Sequence, residues 1–380
     1  MKIETIKAGI TKDSKKRNTI VISINNCITS SPGGVSTGKH EKPSYKKTLN
    51  QDISTLKKIN LFDLEFNKFE DLERLEKRIK NKVGANTLYA LEASILKALA
   101  KSKNKQLYQI LGNKRKPKLL SNTVGGGVHS HLKKQPDFQE FLIIGDKKQN
   151  QKFHKETGKI IKAKSKDDEN AWQTTLEHES ILELMSWTGL DIGLDIAASE
   201  FYKKGKYCPK NKNFSSNKNL KNNKEGFYHY KNPKLCLTRK QQIDYIIKII
   251  KKYKLKYVED PLQEDDFKGF KEILKKTKNC LIVGDDLTTT NLERVKKAIK
   301  MKSINGLIVK PNQIGSLIEM KKVIDLCKKK KVKIIVSHRG GETMDDTIAD
   351  FAVGFGADML KVSVVGKERL AKVKRLERIS

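Results

Sequence analysis

What this chain lacks narrows it first. Its five cysteines (Cys27, Cys208, Cys236, Cys280 and Cys327) are scattered, with no CxxC pair. That argues against a zinc ribbon or disulfide scaffold and leads us to expect a reducing, cytoplasmic setting. No apolar run approaches the roughly 18–20 residues of a membrane span. The opening MKIETIKAGI carries no signal-peptide core, so no membrane association is expected. Aromatic residues are 7% of the chain and are not interleaved with its basic runs, as a base-stacking platform would require. Arginine is scarce, ten of 79 basic residues, although guanidinium is the group that phosphate and base readout prefer. The formal net charge of +35 suggests a polyanionic partner when taken alone. These absences set against it, and nucleic acid is not an expected partner.

What is present points to a folded α/β protein. With 380 residues, 37% of them hydrophobic, the chain can bury the cores of two domains. The first hundred residues read as a small α+β unit. It has a β-branched strand at Asn18–Ile24, a glycine loop at Ser31–Gly38 (SPGGVSTG) and a helical pattern from Phe69 to Ser102 that breaks at Val83 and Gly84. Pro117, in KRKPKLL, marks the boundary, which sets residues 1–116 apart from 117–380. Beyond about residue 185 short apolar strands (GLDIGLDIA, KYVEDP, LIVGDD, GLIVKP, KIIVSH, MLKVS) alternate with amphipathic stretches at Phe267–Lys276, Leu292–Lys300 and Leu317–Cys327. Such alternation implies parallel strands closed into a barrel. Residues 203–234 interrupt it with ten Lys, seven Asn and one acid, Glu225, and read as a solvated insertion.

Each strand of the repeat stops at a residue able to do chemistry: Asp195, Glu259, Asp285, Lys310, His338 with Arg339, and Lys361. From Glu259 onward the intervals are 26, 25, 28 and 23 residues, about one βα unit each. Parallel strands at that period deliver their C-terminal residues to one mouth of a barrel. Three carboxylates without clustered Cys or His form an oxygen-only donor set, suited to a hard divalent ion such as Mg²⁺. Two ammonium groups about 5 Å apart repel by about 3 kcal/mol at an effective dielectric near 20. That repulsion, with a metal's charge, lowers a lysine pKa by about two units, towards a usable general base. Lysine beside a metal ion suits proton abstraction next to a carboxylate.

The stretches VEDPLQEDDF, VGDDLTTTN, LIVKPNQIGSL, VSHRGGET, GLDIAASEFY, VGANTLYALEASILKALA, VSTGKHE and FQEFLI, with the closing KERLAK, resemble the enolase family, phosphopyruvate hydratase, in the family's order. The resemblance implies a C-terminal α/β (TIM-like) barrel with a smaller N-terminal α+β capping domain. It implies a hydro-lyase of glycolysis and gluconeogenesis that interconverts 2-phosphoglycerate and phosphoenolpyruvate with two Mg²⁺ per site. By the same resemblance Asp195, Glu259 and Asp285 hold the tight metal ion and Lys310 is the base. Lys361 helps neutralise the substrate carboxylate. Glu169, in DDENAW, protonates the departing hydroxyl and shares a proton network with Glu140. His129 and His338 line the pocket, and Arg339 clamps the phosphate. Ser36 lies in a lid loop and reaches a second Mg²⁺. A homodimer or higher homo-oligomer is implied as well.

The chain departs from the family pattern at several points, among them an N-terminal KRNTIVI where RGNPTVE is usual. SHRSGE reads SHRGGE, so Gly340 offers the phosphate an N–H without a hydroxyl, a loss of about 1.5–3 kcal/mol. The DEGG-type loop reads DENAW, and a KTGAP-like turn after Lys361 reads KVSVV. From the residues alone, Glu169 in its charged run reads as a solvated loop acid, His129 as a turn histidine and Ser36 as a turn serine. Two other functions compete: a weakly catalytic paralogue that binds RNA or other polyanions, and a relative acting on a different α-protonated acid.

Overall fold

A computed structural model describes residues 1–34, 38–205, 226–232 and 235–379. The chain forms two compact units. The first comprises Met1–Leu120, Thr288–Val295 and Leu307–Ser380, the second Ser121–Leu287 and Lys296–Gly306. In chain order the main strands are β1 (Ile6–Lys12), β2 (Asn18–Ile24), β3 (Cys27–Ser30), β4 (Lys118–Gly125), β5 (Glu140–Gly145), β6 (Asp191–Asp195), β7 (Tyr257–Glu259), β8 (Leu281–Gly284), β9 (Gly306–Val309), β10 (Lys333–Ser337) and β11 (Met359–Lys361). The main helices are α1 (Ala85–Ser102), α2 (Arg239–Lys252), α3 (Phe267–Lys276), α4 (Leu292–Met301) and α5 (Leu317–Lys329). No helix among the described residues is long and apolar enough to cross a membrane.

In the first unit, β1, β2 and β3 form an antiparallel meander with β2 at its centre. The β-branched alternation of β2 turns Ile20, Ile22 and Ile24 to one fully buried face, as a two-residue side-chain period requires. The α1 helix lies against that meander, where Ser94 donates to the Ile22 carbonyl at 3.0 Å. At the expected break, position 84 admits only glycine, because a Cβ there would lie 2.2 Å from the Tyr45 backbone. The same unit holds β9, β10 and β11 side by side. Strands β10 and β11 run parallel with Ser337 opposite Lys361, and β11 continues against the start of β4 with Lys361 opposite Leu120.

In the second unit, β8, β7, β6 and β5 are neighbours in that order. Strands β6, β7 and β8 run parallel, as the repeat predicts, but β5 is antiparallel to β6. Neither β4 nor β5 is among the strands expected from the repeat. Buried Ser121, Asn122 and Thr123 break the apolar signal of β4, and β5 stands outside the βα period. The flanks of 203–234 also differ from the solvated insertion expected. Phe227, Tyr228 and Tyr230 are buried, and Phe227–His229 pairs antiparallel with both Tyr202–Lys203 and Cys236–Thr238. Aromatic side chains with no place in a solvated loop carry that packing. Residues 206–225 and 233–234 lie outside the described residues.

Candidate active site

Strand register builds the acidic part of the site within the second unit. Asp195 ends β6 and pairs in register with Glu259 at the end of β7, while Glu140 at the start of β5 stands opposite Asp195 from the other side. Neighbouring strands lie about 4.8 Å apart, and paired residues face the same side. The three carboxylates therefore stand abreast, and all three are buried. Tyr257 donates its hydroxyl to Glu259, and the Ala197 N–H donates to Asp195 Oδ1 at 3.2 Å.

Asp285 follows β8 by one residue and is held by Asp260, for which the sequence offers no local signal. The buried Asp260 carboxylate accepts the Asp285 N–H at 3.2 Å and the Asp286 N–H at 2.7 Å. The Asp260 backbone ties the same strand ends together: its N–H donates to Val283 O at 3.1 Å, and its carbonyl accepts from Ala198 N–H at 3.1 Å. This convergence places Asp260 in the left-handed region, φ +41°. Carboxylate oxygens of Asp260, Asp285 and Asp286 lie within 4.8 Å of one another. Burial, and then the charges of Asp286, Asp285, Glu259 and Asp195, hold the Asp260 pKa well above the usual carboxylate range. Carboxylate oxygens gathered this closely, with Asp260 and Asp285 buried and Asp286 partly exposed, fit a hard divalent cation, which offsets their mutual repulsion.

Glu169 is buried, not solvated, and the turn that presents it is visible in its hydrogen bonds. Asp167 Oδ1 accepts the N–H groups of Glu169 at 2.8 Å and Ala171 at 2.9 Å, and Asn170 closes the turn with φ +67°. Gly125 makes room for Asp167, because a Cβ there would lie 1.8 Å from Asp167 Oδ2. His154 Nε2 lies 2.9 Å from the Asn170 carbonyl, so that nitrogen carries the proton. Burial lowers the His154 pKa to about 4. The altered DENAW loop thus still turns its glutamate inward, where Glu169, Glu140 and His129 offer ligand atoms within 4.8 Å of one another. His129 belongs to the short 3₁₀ turn Gly127–His129 and is itself buried.

The cationic residues belong to the first unit. Lys310 caps the short helix Pro311–Ile314 directly after β9. Its N–H donates to Thr290 Oγ1 at 3.1 Å, and the Thr290 hydroxyl donates to Gln313 Oε1 at 2.7 Å. His338 follows β10 and donates its N–H to the carbonyl of Lys361, the last residue of β11, at 3.0 Å. Arg339 is 4% exposed. Its guanidinium pairs with Glu41 at 2.9 Å and reaches Asn312 Oδ1 at 3.2 Å. Glu41 lies in the quoted VSTGKHE stretch but received no role there, because its partner is 298 residues away. Gly340 is buried, and its carbonyl accepts from Arg369 at 2.9 Å. The glycine loop is pinned at Gly33, which exchanges backbone hydrogen bonds with Gly341 at 2.7 and 2.9 Å. Ser36 lies outside the described residues.

Comparison with known proteins accords with this geometry. A family profile described as "Enolase, C-terminal TIM barrel domain" matches residues 178–380. The chain is 36% identical to the enolase of Methanosphaera stadtmanae, with 92% of this chain and 88% of that protein aligned. It is 35% identical to the enolase of Picrophilus torridus, over 95% and 93% of the two chains. The enolase of Thermoplasma acidophilum is 32% identical over 99% and 98%. The fold class is the one expected, an α/β TIM-type barrel with a smaller N-terminal α+β part.

Proposed function

This chain belongs to the enolase family, a family of lyases, and from that premise we propose that it catalyses the reversible, Mg²⁺-dependent dehydration of 2-phosphoglycerate to phosphoenolpyruvate. The observation that carries the proposal is the in-register row of Glu140, Asp195 and Glu259 beside the Glu169–Glu140–His129 cluster. It supplies buried oxygen donors for a metal ion next to a second group of proton-bearing side chains.

Asp195, Glu259 and Asp285 would hold one Mg²⁺, and Ser36 in the glycine loop would reach a second. When bound, these ions supply positive charge to the substrate carboxylate and to the negative charge that develops on it. Lys310 Nζ takes the C2 proton as that C–H bond breaks. Lys361 neutralises part of the carboxylate charge and keeps Lys310 deprotonated before transfer. Glu169 gives its proton to the C3 hydroxyl, which leaves as water when the C3–O bond breaks, and Glu140 shares that proton's network. His129 and His338 line the pocket. Arg339 clamps the phosphate, with Gly340 adding an N–H but no hydroxyl.

We place the capping domain with its lid loop at residues 1–116 and the catalytic barrel at 117–380. The setting we assign is cytoplasmic glycolysis and gluconeogenesis, with a homodimer or higher homo-oligomer as the working form. The deciding experiment is a Mg²⁺ titration of purified protein with 2-phosphoglycerate. Phosphoenolpyruvate should appear in proportion to metal loading, and no turnover at saturating Mg²⁺ would refute the assignment.

A further inference from the structure

Away from every strand end used above, the second unit carries a cleft of about 510 Å³ where β7 and β8 begin and where α2 and α3 end. Six lysines line it: Lys251, Lys254, Lys256, Lys275, Lys276 and Lys278. All six are exposed, no acid is among the lining residues, and none of the six makes an ion pair among the described residues. Composition alone does not produce this arrangement. The first unit has a cleft of similar volume, about 490 Å³, whose cations face Asp346 and Asp350, and Arg375 pairs with Asp350 at 2.7 Å. Same-sign charge without a carboxylate is therefore a local property of the β7–β8 cleft.

Part of that charge complements the helices. The last turns of α2 and α3 end here, each contributing about half a negative charge, which leaves about five positive charges uncompensated. The floor adds no negative charge: burial pushes the Cys280 thiol up to about 12 and keeps it protonated. No aromatic ring lines the cleft, so it offers no stacking surface for a base. Lysine ammonium groups act as point charges, which bind phosphate without the fixed bidentate geometry of a guanidinium. The volume fits a small molecule.

We infer that this cleft binds a polyphosphate chain, as a site separate from the proposed catalytic residues. The shared chemistry is a run of consecutive phosphates, found in inorganic polyphosphate and in the tail of a nucleoside triphosphate. The test titrates the full chain with sodium tripolyphosphate by calorimetry, without Mg²⁺ and at low ionic strength. It compares wild type, the double variant Lys254→Gln/Lys276→Gln, and a control pair Lys328→Gln/Lys330→Gln, also at exposed positions. One equivalent should bind, with affinity about tenfold weaker in the cleft variant and changed less than about twofold in the control. Raising the ionic strength to about 0.15 M should weaken binding further.

ATP serves as the second probe. Equal affinity for ATP and tripolyphosphate assigns the site to the phosphate chain alone, and tighter ATP binding assigns it to a nucleotide. Turnover of 2-phosphoglycerate should be unchanged in the cleft variant. Equal losses in both pairs, no loss in the cleft pair, or displacement of tripolyphosphate by saturating 2-phosphoglycerate would each overturn the assignment.

Discussion

The carboxylate set of the second unit and the cationic set of the first are ordered by different means. Glu140, Asp195 and Glu259 are placed by strand register, and Asp285 by backbone amides that Asp260 gathers. These like charges repel, and backbone hydrogen bonds hold them together regardless. Arg339, by contrast, is ordered by side chains, Glu41 at 2.9 Å and Asn312 at 3.2 Å. Carboxylates placed by strand register and backbone amides are set by the main chain, whatever their oxygens bind. An arginine fixed by side chains keeps its place only while Glu41 and Asn312 hold it. Preorganisation thus sits in the main chain for the acids and in a carboxylate of the glycine-loop segment for the arginine.

The largest expected effect separates chemistry from architecture. Lys310→Ala should lower turnover by about 10³-fold, in the range of a lost general base, with circular dichroism and Mg²⁺ binding unchanged. Undiminished turnover would refute the assignment of the base. Next comes acid sensitivity, which belongs to the carboxylate unit because His154 and His178 both lie in it. Burial depresses each to a pKa of about 4 from 6.5. Between those values the unfolded chain binds more protons than the folded one, so stability falls as pH drops from about 6.5 to about 4. The loss reaches about 3 kcal/mol per histidine. Both tryptophans, Trp172 and Trp187, lie in that unit, and their fluorescence should report an unfolding midpoint that falls with pH. His154→Gln should flatten the dependence, and an unchanged slope would contradict the assignment.

Much of this was legible in the sequence where a short period repeats. The helical period of FKGFKEILKK spans Phe267–Lys276, and those residues fold as α3. Asp195, Glu259 and Lys361 close apolar runs in the sequence, and each ends its strand. The rest depends on partners far away in sequence. Glu169 looks solvated in KSKDDENAW, and its burial rests on the Asp167 turn and the absence of a side chain at Gly125. The direction of β5 has no local signal, because EFLIIG reads alike whether its neighbour runs parallel or antiparallel. Asp260 and Glu41 stood inside quoted motifs without a role, since each acts by holding another residue.

Asp260 tests the part set by the main chain. Asp260→Ala strands the amides of Asp285 and Asp286, at about 1–3 kcal/mol for each that stays buried and unpaired. The Mg²⁺ concentration for half-saturation should rise about tenfold, with a smaller rise in kcal/mol than the full penalty because water can enter. Calorimetric titration of the metal measures this without relying on turnover. Asp260→Asn, which keeps one acceptor oxygen, should recover part of the affinity. Equal Mg²⁺ affinity in wild type and Asp260→Ala would show that strand register alone places Asp285.

Glu41→Gln probes the part ordered by side chains and should have the smallest effect. Removing one partner of a buried ion pair normally costs about 3–5 kcal/mol, but glutamine keeps an oxygen within reach of Arg339. Asn312 also remains as a second anchor at 3.2 Å. What is lost is charge-assisted positioning, so KM for 2-phosphoglycerate should rise about three- to tenfold while kcat changes less than about twofold. Glu41→Ala, which removes the oxygen as well, should raise KM further. A fall in KM in both variants would reverse the argument: Glu41 would then compete with the phosphate for Arg339, and the ion pair would be a contact that substrate must break.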